Sequence, residues 1–503
     1  SIDDTSGNNT LAITGVSDFS SLSVTASGNN LIIDTGDGQF IIRNGLTNGM
    51  LNMAVGTAAD AYASGKSPLP SATPTATQTS LNHLLLTHLN TAVTRTSQIA
   101  GEQLTGGLQN DTLTAHAGGS ILIGGRGNDA LRGGVGDDVY LLRSGDGLDT
   151  ITEAGGTNNV IKLDDGITQD QVTLRRSSGN LILTLASGER MTVSGMFNSS
   201  SGALVANRAI HELKFSDGTT WDLNRIREEA VRGNDGNETL YGFSGDDVLR
   251  GGAGNDDLRG LAGNDIYEFN LGDGQDTIID NGGTDVIRFG EGIEESRIIV
   301  RRSGANLILS LDSGERITVN SMFNSSTGVT STTNAIEQIE FVDGTIWEIE
   351  QLQQRALEGT DGADTLYGFP TDDVFRGGTG NDQLYGVGGN DIYEFNLGDG
   401  QDIITDNGGD DAIYFGEGVD GNQITVRRDG TNLILSLDSG ERITVNSMFN
   451  GTTGAVSTTS AIERIEFADG NIWGIEQLRQ RALEGTDGAD ALYGFTTDDV
   501  LRG

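Results

Sequence analysis

The sequence predicts an all-β repeat protein in which short parallel β-rolls alternate with antiparallel β-hairpin or sandwich modules, with a small helical insert near the N-terminus. The first observation is a long period, because Trp221, Trp347 and Trp473 are spaced 126 residues apart. The second is a set of consecutive nine-residue words rich in glycine and aspartate, such as residues 251–259. The third is a period-two alternation of apolar and polar residues between these words, which is typical of half-buried strands.

The long period divides most of the chain into units. Residues 264–276 reappear unchanged at 390–402, and residues 306–324 reappear unchanged at 432–450. Both ends of the chain fall inside a unit, so we expect the sequence to be a piece of a longer polypeptide. The predicted parts, in chain order, are a partial hairpin module (1–46), a helical insert with a Pro/Ser/Thr linker (47–103), a diverged first roll and module (104–232), a second unit (233–358), a third unit (359–484) and the start of a further roll (485–503).

The stretches between the nine-residue words predict β-hairpins. In the second unit, apolar residues alternate at 298–300, 307–311 and 316–319, and short glycine-containing segments separate these runs. Alternation bounded by turn residues is the signature of antiparallel strands. Four large apolar residues that follow are expected in the core: Phe323, Ile339, Phe341 and Trp347.

A short helix is predicted at the end of each unit. In the second unit it spans residues 347–357, where Ile349, Leu352 and Leu357 share roughly one face, and Gly359 ends it.

The N-terminal region differs from the rest of the chain. Residues 1–46 resemble a diverged copy of the hairpin part, but the tryptophan segment is missing. Residues 47–103 contain an Ala/Met-rich stretch, a proline-containing linker and leucines at helical spacing from about Ser80 to Gln98. We expect this helix to cap the first roll, because terminal repeats need a cover.

Composition excludes several classes of partner. The chain has 72 acidic and 31 basic residues, which gives a net charge of −41. This charge repels a phosphate backbone, so no nucleic-acid partner is expected. The absence of cysteine rules out disulfides and thiolate zinc sites, and no apolar run is long enough to span a bilayer.

The nine-residue words indicate a metal site. Glycine adopts positive φ at little cost, so the first six residues can form a tight turn with exposed carbonyl oxygens, and the sixth residue adds a carboxylate. Many hard oxygen ligands without histidine or cysteine favour calcium over zinc or copper, and magnesium is less suited because it retains water. We therefore predict several bound Ca²⁺ ions. The predicted metal ligands are the position-six residues Asp111, Asp129, Asp138, Asp247, Asp256, Asp265, Asp364, Asp373, Asp382, Asp391, Asp490 and Asp499, the residues at block starts Asp235, Asp361 and Asp487, and the residues of the related Gly-Asp-Gly-x-Asp turn Asp149, Asp276 and Asp402.

Two words depart from this pattern. Glu238 stands at position six of its word, and Ser120 stands at position six of another. Because a serine hydroxyl carries no charge, we expect the first block to bind fewer ions.

The nonapeptide blocks resemble those of the RTX (repeats-in-toxin) family of haemolysin-type calcium-binding proteins. The intervening modules resemble the haemolysin-related calcium-binding region, and the resemblance covers nearly everything except residues 47–103. It implies a right-handed parallel β-roll with calcium between turns and one-step type I export from a Gram-negative bacterium, hence an extracellular or cell-surface location. A C-terminal secretion signal, normal for the family, is not found, which fits a truncated chain.

No catalytic constellation is found, so we expect no enzyme activity within residues 1–503. The segment that starts at His211 lacks the second histidine of a zinc-protease helix, and the arginine pairs at 301–302 and 427–428 are interpreted as charges on strand faces.

Three functions compete. One is a calcium-stiffened structural or adhesive array with cell-surface or matrix partners. Another is the carrier region of a secreted enzyme or toxin whose effector lies outside this chain, and the third is a matrix that assembles from copies of itself. In each case, clustered aspartates should keep the metal-free chain unfolded, and calcium should drive its folding.

Overall fold

The computed structural model describes residues 92–164, 166–485, 492–495 and 499–502, together with six strands in the first 55 residues. The chain forms two compact units, Ser1–Arg232 and Gly233–Gly503. The predicted all-β fold is confirmed, since strands in mainly parallel sheets predominate and the described residues contain three short α-helices.

The nine-residue words at residues 233–268 and 359–394 each contribute a turn and a short strand. Successive strands enter opposite sheets, so each pairs in parallel with the strand two words later. Thr239–Tyr241 pairs with Asp257–Arg259, and Val248–Arg250 pairs with Ile266–Phe269. The apolar or aromatic residue at position eight of each of these words is buried between the two sheets, which leaves the turns along the edges of the roll.

The hairpin modules continue the rolls. Arg316–Val319 is the last strand of an antiparallel set, and it also pairs in parallel with Gln275–Ile279 of the roll. In the opposite sheet, Gln338–Glu340 pairs in parallel with Val286–Phe289. Both sheets therefore run from the roll into the module, and the two parts share one core.

We call residues 104–232, 233–358 and 359–484 the first, second and third copies of the repeat. The second and third copies contain the same strands in the same order, arranged in a six-stranded and a five-stranded sheet per copy. In the second copy the strands are Thr239–Tyr241, Val248–Arg250, Asp257–Arg259, Ile266–Phe269, Gln275–Ile279, Val286–Phe289, Ile298–Ser303, Asn306–Leu311, Arg316–Val319, Gln338–Glu340 and Ile346–Glu348. In the third copy they are Thr365–Tyr367, Val374–Arg376, Gln383–Tyr385, Ile392–Phe395, Gln401–Thr405, Ala412–Phe415, Ile424–Asp429, Asn432–Leu437, Arg442–Val445, Arg464–Phe467 and Ile472–Gly474.

Each copy ends in a short helix. The α-helices are Leu223–Ala230, Ile349–Arg355 and Ile475–Arg481, and 3₁₀ turns occupy Gln169–Gln171, Ala206–Arg208, Glu295–Arg297 and Gly421–Gln423. The predicted helix in the second copy begins two residues too early, because Trp347 lies in a strand that pairs with Gln338–Glu340. Its indole is 1% exposed, as expected for a core residue. Among the described residues, no helix is both long and apolar enough to cross a membrane.

The first roll and its module form a seven-stranded and a six-stranded sheet. Their strands are Thr94–Thr96, Gln103–Thr105, Thr112–Thr114, Ile121–Ile123, Ala130–Arg132, Val139–Leu142, Leu148–Thr152, Val160–Leu163, Val172–Ser177, Asn180–Leu185, Arg190–Val193, Glu212–Lys214 and Thr220–Asp222. The helix predicted to reach Gln98 is wrong at its C-terminal end, because Thr94–Thr96 pairs in parallel with Thr112–Thr114. The segment before residue 92 that was predicted to be helical lies outside the described residues.

The described strands of the first 55 residues have a hairpin topology similar to that of the hairpin modules. Ser23–Ser27, Asn30–Asp34 and Gln39–Arg43 pair in antiparallel order, and Ile2–Asp3 adds in parallel to the last of them. A further parallel pair joins Asn9–Ile13 to Leu51–Val55. The predicted insert from residue 47 therefore contains a strand, which the sequence analysis did not anticipate.

Arg302 ties the second copy to the third. It is 4% exposed, and its Nη1 donates a hydrogen bond to the carbonyl of Gly368 in the next roll. Its guanidinium lies 5.6 Å from the ring centre of Phe369, which also packs edge-on against Phe323. Arg428 is buried in the same setting one copy later. The interpretation of these two arginines as strand-face charges is therefore wrong.

The stacking of turns predicts different effects for two neighbouring glycines. Gly272 and Gly274 have φ of +95° and +104°, so alanine is strained at both by roughly 1–2 kcal/mol. A Cβ on Gly274 would lie 1.9 Å from the carbonyl oxygen of Gly254, whereas no atom of the described residues lies within 4 Å at Gly272. We expect Gly274→Ala to lower the free energy of unfolding at least twice as much as Gly272→Ala in urea titrations with calcium present. Equal losses would contradict this packing.

Candidate metal centre

Glycines allow the turns to stack closely. In the word that starts at Gly251, Gly252 and Gly254 have φ of +85° and +141°. A Cβ on Gly252 would lie 2.4 Å from the carbonyl oxygen of Asn234, two words earlier. Consecutive turns on one side of the roll therefore meet through main-chain atoms, and carbonyl oxygens lie at the interface between them.

The position-six carboxylates form a ladder between turns. Within each block, the Oδ1 atom accepts a hydrogen bond from the main-chain N–H of the residue at the equivalent position one coil, that is two words, earlier; at the start of the third block, Oδ1 of Asp364 and of Asp373 has a side-chain partner instead. The donor and acceptor residues, 2.7–3.0 Å apart, are Val93 and Asp111, Asp111 and Asp129, Ser120 and Asp138, Asp129 and Asp149, Asp138 and Asn159, Glu238 and Asp256, Asp247 and Asp265, Asp256 and Asp276, Asp265 and Asp285, Asp364 and Asp382, Asp373 and Asp391, Asp382 and Asp402, and Asp391 and Asp411. Each coil is thereby linked to the next by a carboxylate or, once, by an amide.

Many second carboxylate oxygens of the ladder have no hydrogen-bond donor. Among the described residues, no partner reaches the buried Oδ2 atoms of Asp129, Asp149, Asp265, Asp285, Asp382, Asp391 and Asp411. A buried polar atom without a partner costs about 1–3 kcal/mol, and more when it carries charge. These oxygens therefore need a proton or a cation, and the nearby carbonyl oxygens favour a cation.

Burial raises the pKa of these carboxyl groups, because the charged form loses its hydration. The pKa of Asp149 is raised to about 8, and the pKa values of Asp129 and Asp265 are raised to about 7. Neighbouring carboxylates add to the effect of burial in all three. Burial also raises the pKa of Asp285, with Asp280 as a further cause. A divalent cation between turns would offset both effects.

Most of the aspartates chosen from the sequence lie in the ladder or beside it. Twelve of them are buried: Asp111, Asp129, Asp138, Asp149, Asp247, Asp256, Asp265, Asp276, Asp373, Asp382, Asp391 and Asp402. Asp364 and Asp499 are half-buried, whereas Asp235 and Asp361 are exposed at the third position of their turns. Asp487 and Asp490 lie outside the described residues.

The carboxylate of Asp364 is paired with a positively charged side chain of the same chain, that of Arg301. Its Oδ1 lies 3.1 Å from Nη2 of Arg301, and its Oδ2 accepts hydrogen bonds from the N–H and the hydroxyl of Thr360. Nη1 of Arg301 also donates to the carbonyl of Glu358, 2.6 Å away. The guanidinium thus balances the first carboxylate of the third block, which weakens the prediction that Asp364 is a metal ligand.

Four acidic residues that the sequence analysis did not select also belong to the site. Asp265, Asp280 and Asp285 place one carboxylate oxygen each within 4.8 Å of one another, and so do Asp391, Asp406 and Asp411. The missed residues are Asp280, Asp285, Asp406 and Asp411. A signal was present, because Asp285 and Asp411 each lie 20 residues after a position-six aspartate, as Asp276 does.

The fold and the carboxylate ladder define a repeat protein of parallel β-rolls with oxygen-rich turns. Two family profiles match the chain in alternation. The RTX calcium-binding nonapeptide repeat matches residues 105–140, 232–267, 269–293, 358–393, 367–401, 394–421 and 482–503, and the haemolysin-type calcium binding protein related domain matches residues 180–225, 306–351 and 432–477. The chain therefore consists largely of RTX calcium-binding repeats interleaved with three copies of the related domain, which confirms the predicted family.

Similar proteins match only parts of the chain. The iron-regulated protein FrpA of Neisseria meningitidis serogroup C is 31% identical over 118 residues, which are 22% of this chain and 10% of that protein. The crystal structure of the extracellular lipase LipA from Serratia marcescens is 18% identical, covers 48% of this chain and 44% of that chain, and has a TM-score of 0.20. The matched segment of this chain spans about a tenth of the length of FrpA.

The raised pKa values predict that acid partly replaces calcium. The pKa values of Asp149 (about 8) and Asp265 (about 7) in the fold exceed the unfolded value of about 3.9. Between about pH 4 and pH 8 the fold therefore binds more protons than the unfolded chain, and its stability falls as pH rises. We expect calcium-depleted protein to show more strand signal by far-ultraviolet circular dichroism at pH 5 than at pH 8, and calcium to remove most of this difference. A stronger strand signal at pH 8 than at pH 5 without calcium would contradict this pH dependence.

Proposed function

We propose that this chain is the calcium-dependent scaffold region of a larger secreted bacterial protein, which folds outside the cell when calcium binds between its turns. The observation that carries the proposal is the ladder of buried carboxylates whose second oxygens lack hydrogen-bond donors, as at Asp129, Asp382 and Asp391. Hard oxygen atoms from side chains and main-chain carbonyls are the ligands that calcium prefers.

The proposed extracellular location follows from the calcium concentration that such sites need. Extracellular calcium modules bind with dissociation constants of roughly 10⁻⁴–10⁻³ M, a concentration that the cell interior does not reach. With a net charge of −41 and unbalanced carboxylates, the metal-free chain is expected to stay unfolded in the cell and to fold after export. The RTX repeats support this route, since their family resemblance implies type I export.

A structural or adhesive array is the role that we propose for the folded chain. In Gly233–Gly503 the sheets run from roll to module, and Arg302 and Arg428 each lock a module to the following roll. These contacts repeat at a fixed interval, so adding copies lengthens the array without changing its joints. Cell-surface or matrix components are the partners that we propose for such an array.

A calcium titration tests the folding mechanism. We expect far-ultraviolet circular dichroism of the calcium-depleted chain at pH 7.5 to lack most of the strand signal, and millimolar calcium to restore it cooperatively. Asp382→Asn should shift the calcium midpoint upward, because Oδ1 of Asp382 bonds the N–H of Asp364 while its Oδ2 faces the proposed ion. At 100-fold saturation, one lost site corresponds to about 2.7 kcal/mol of stability.

Asp343→Asn is the matched control, since Asp343 is an exposed residue of a hairpin turn whose Oδ1 accepts from the N–H of Thr345. The control removes the same charge and should leave the midpoint unchanged. A complete strand signal in excess chelator at pH 7.5, or equal shifts in both variants, would refute the proposed mechanism.

A further inference from the structure

An arginine, a tryptophan and a glutamate form a cluster at the end of the second copy. The guanidinium of Arg355 lies 4.0 Å from the ring centre of Trp347 and covers one face of the indole. Oε2 of Glu295 accepts hydrogen bonds from Nε1 of Trp347 (2.8 Å) and from Nη2 of Arg355 (3.0 Å). One carboxylate oxygen therefore satisfies the indole and balances the arginine. Glu295 and Arg355 also line a surface groove of about 740 Å³, so the cluster borders solvent.

The third copy keeps the arginine and the tryptophan but lacks the glutamate. The guanidinium of Arg481 lies 3.8 Å from the ring centre of Trp473, and Gly421 stands where the second copy has Glu295. Among the described residues, no oxygen atom accepts a hydrogen bond from the Arg481 guanidinium or from the Trp473 indole N–H. The two donors are therefore present without the acceptor that the second copy supplies.

The first copy has a different residue at the arginine position. Glu229 stands eight residues after Trp221, where the later copies have arginine. Nε1 of Trp221 donates to Oε1 of Gln169 (2.8 Å), which is an uncharged acceptor. Arg225 lies 5.9 Å from the ring centre of Trp221, and its Nη2 pairs with Oε1 of Glu229 at 2.5 Å. In the first two copies, each of these arginines beside a tryptophan therefore has a carboxylate of the same chain.

We propose that Arg481 and Trp473 form a binding site for a carboxylate, and that the ligand is an acidic side chain of a partner protein. The ligand takes the place that the carboxylate of Glu295 has in the second copy. A guanidinium and an indole N–H are both pure donors, and hydrogen bonds from a charged donor to a carboxylate are the strong ones.

The surroundings of Trp473 favour an acidic side chain over an acidic sugar. Arg481 covers one face of the indole, and the whole residue is only 5% exposed, so neither face is free for a sugar ring to stack on. The ligand is therefore recognised through its carboxylate, at the N–H edge of the ring.

The negative charge of the chain does not prevent this contact. Although the net charge is −41, charges more than about 8 Å away are largely screened at physiological ionic strength. The site names a partner chemistry for the proposed array, but its geometry involves no residue of the carboxylate ladder and does not depend on the array role.

The indole N–H signals of the full, calcium-bound chain provide the test. Labelling tryptophan with ¹⁵N gives one indole signal for each of the three tryptophans. Gln169→Ala and Glu295→Gln assign the signals of Trp221 and Trp347, because each change alters the acceptor of one indole. The remaining signal belongs to Trp473.

Blocked glutamate (N-acetylglutamate amide) is the probe, and blocked glutamine is the matched probe without the charge. We expect a saturable shift of the Trp473 signal with blocked glutamate alone, and no shift of the Trp347 signal, since Glu295 already occupies that place. Arg481→Gln should raise the midpoint by about tenfold, because it removes a charged donor. Arg442→Gln is the matched control, since Arg442 is exposed on a strand of the same copy, and it should leave the midpoint unchanged.

The reverse change creates the site in the second copy. Glu295→Gly gives that copy the third-copy arrangement, so we expect the Trp347 signal to respond to blocked glutamate. This variant decides the question if Arg481→Gln does not fold, and an unresponsive Trp347 signal then overturns the site.

Three other outcomes contradict the proposal. The site is overturned if the Trp473 signal does not respond, or if it responds equally to blocked glutamine or with the same midpoint in Arg481→Gln. Glucuronate that acts at a lower concentration than blocked glutamate overturns the choice of an acidic side chain. None of these outcomes bears on calcium-dependent folding, because the titrated chain is already folded with calcium.

Discussion

Stacked turns that each carry a carboxylate are the constraint on which this structure depends. Closing the coil places the Oδ1 of one aspartate on the N–H of the coil before, so adjacent carboxylates cannot move apart without breaking the ladder. Burial strengthens their repulsion, because a medium of low dielectric constant screens charge poorly. The apolar contribution of each strand is one leucine or a similar residue, which is small beside this electrostatic cost. We therefore propose that a cation between turns is part of the fold and not an addition to it.

The same constraint extends into the hairpin modules. The sheets cross the boundary between roll and module, and Oε2 of Glu337 accepts the hydrogen bond of the Asp285 N–H from the module side. In the first copy, His211 accepts from the N–H of Asn159 at the corresponding place, with Nδ1 as the acceptor. In each copy, a side chain of the hairpin module thus accepts the last hydrogen bond of the carboxylate ladder. This contact couples the folding of the roll to that of the module.

The sequence predicted what is encoded locally. Glycine spacing within a word fixed the turn, so the twelve buried aspartates could be chosen without a structure. Asp285 was missed because Asp280 replaces the first glycine of its turn and the two remaining glycines lie at the third and fourth positions. The burial of Arg302 depends on Gly368 and Phe369, which are distant in sequence. Thr94–Thr96 was included in the predicted helix, but it follows the residues at helical spacing and pairs with a neighbouring strand, as its two β-branched threonines favour.

The chain balances the repeated carboxylate in more than one way, so the number of aspartates does not give the number of ions. Arg301 supplies a guanidinium to Asp364 at the first coil of the third block, and this charge is present whether or not calcium is bound. Asn159 removes the charge at the last rung of the first copy and replaces it with amide hydrogens. A buried carboxylate with neither a guanidinium partner nor an amide in its place, such as Asp285, can be balanced only by a proton or a metal ion. We therefore propose that dependence on calcium is greatest at the carboxylates that join rolls to modules in the second and third copies, and least where the chain carries its own counter-charge.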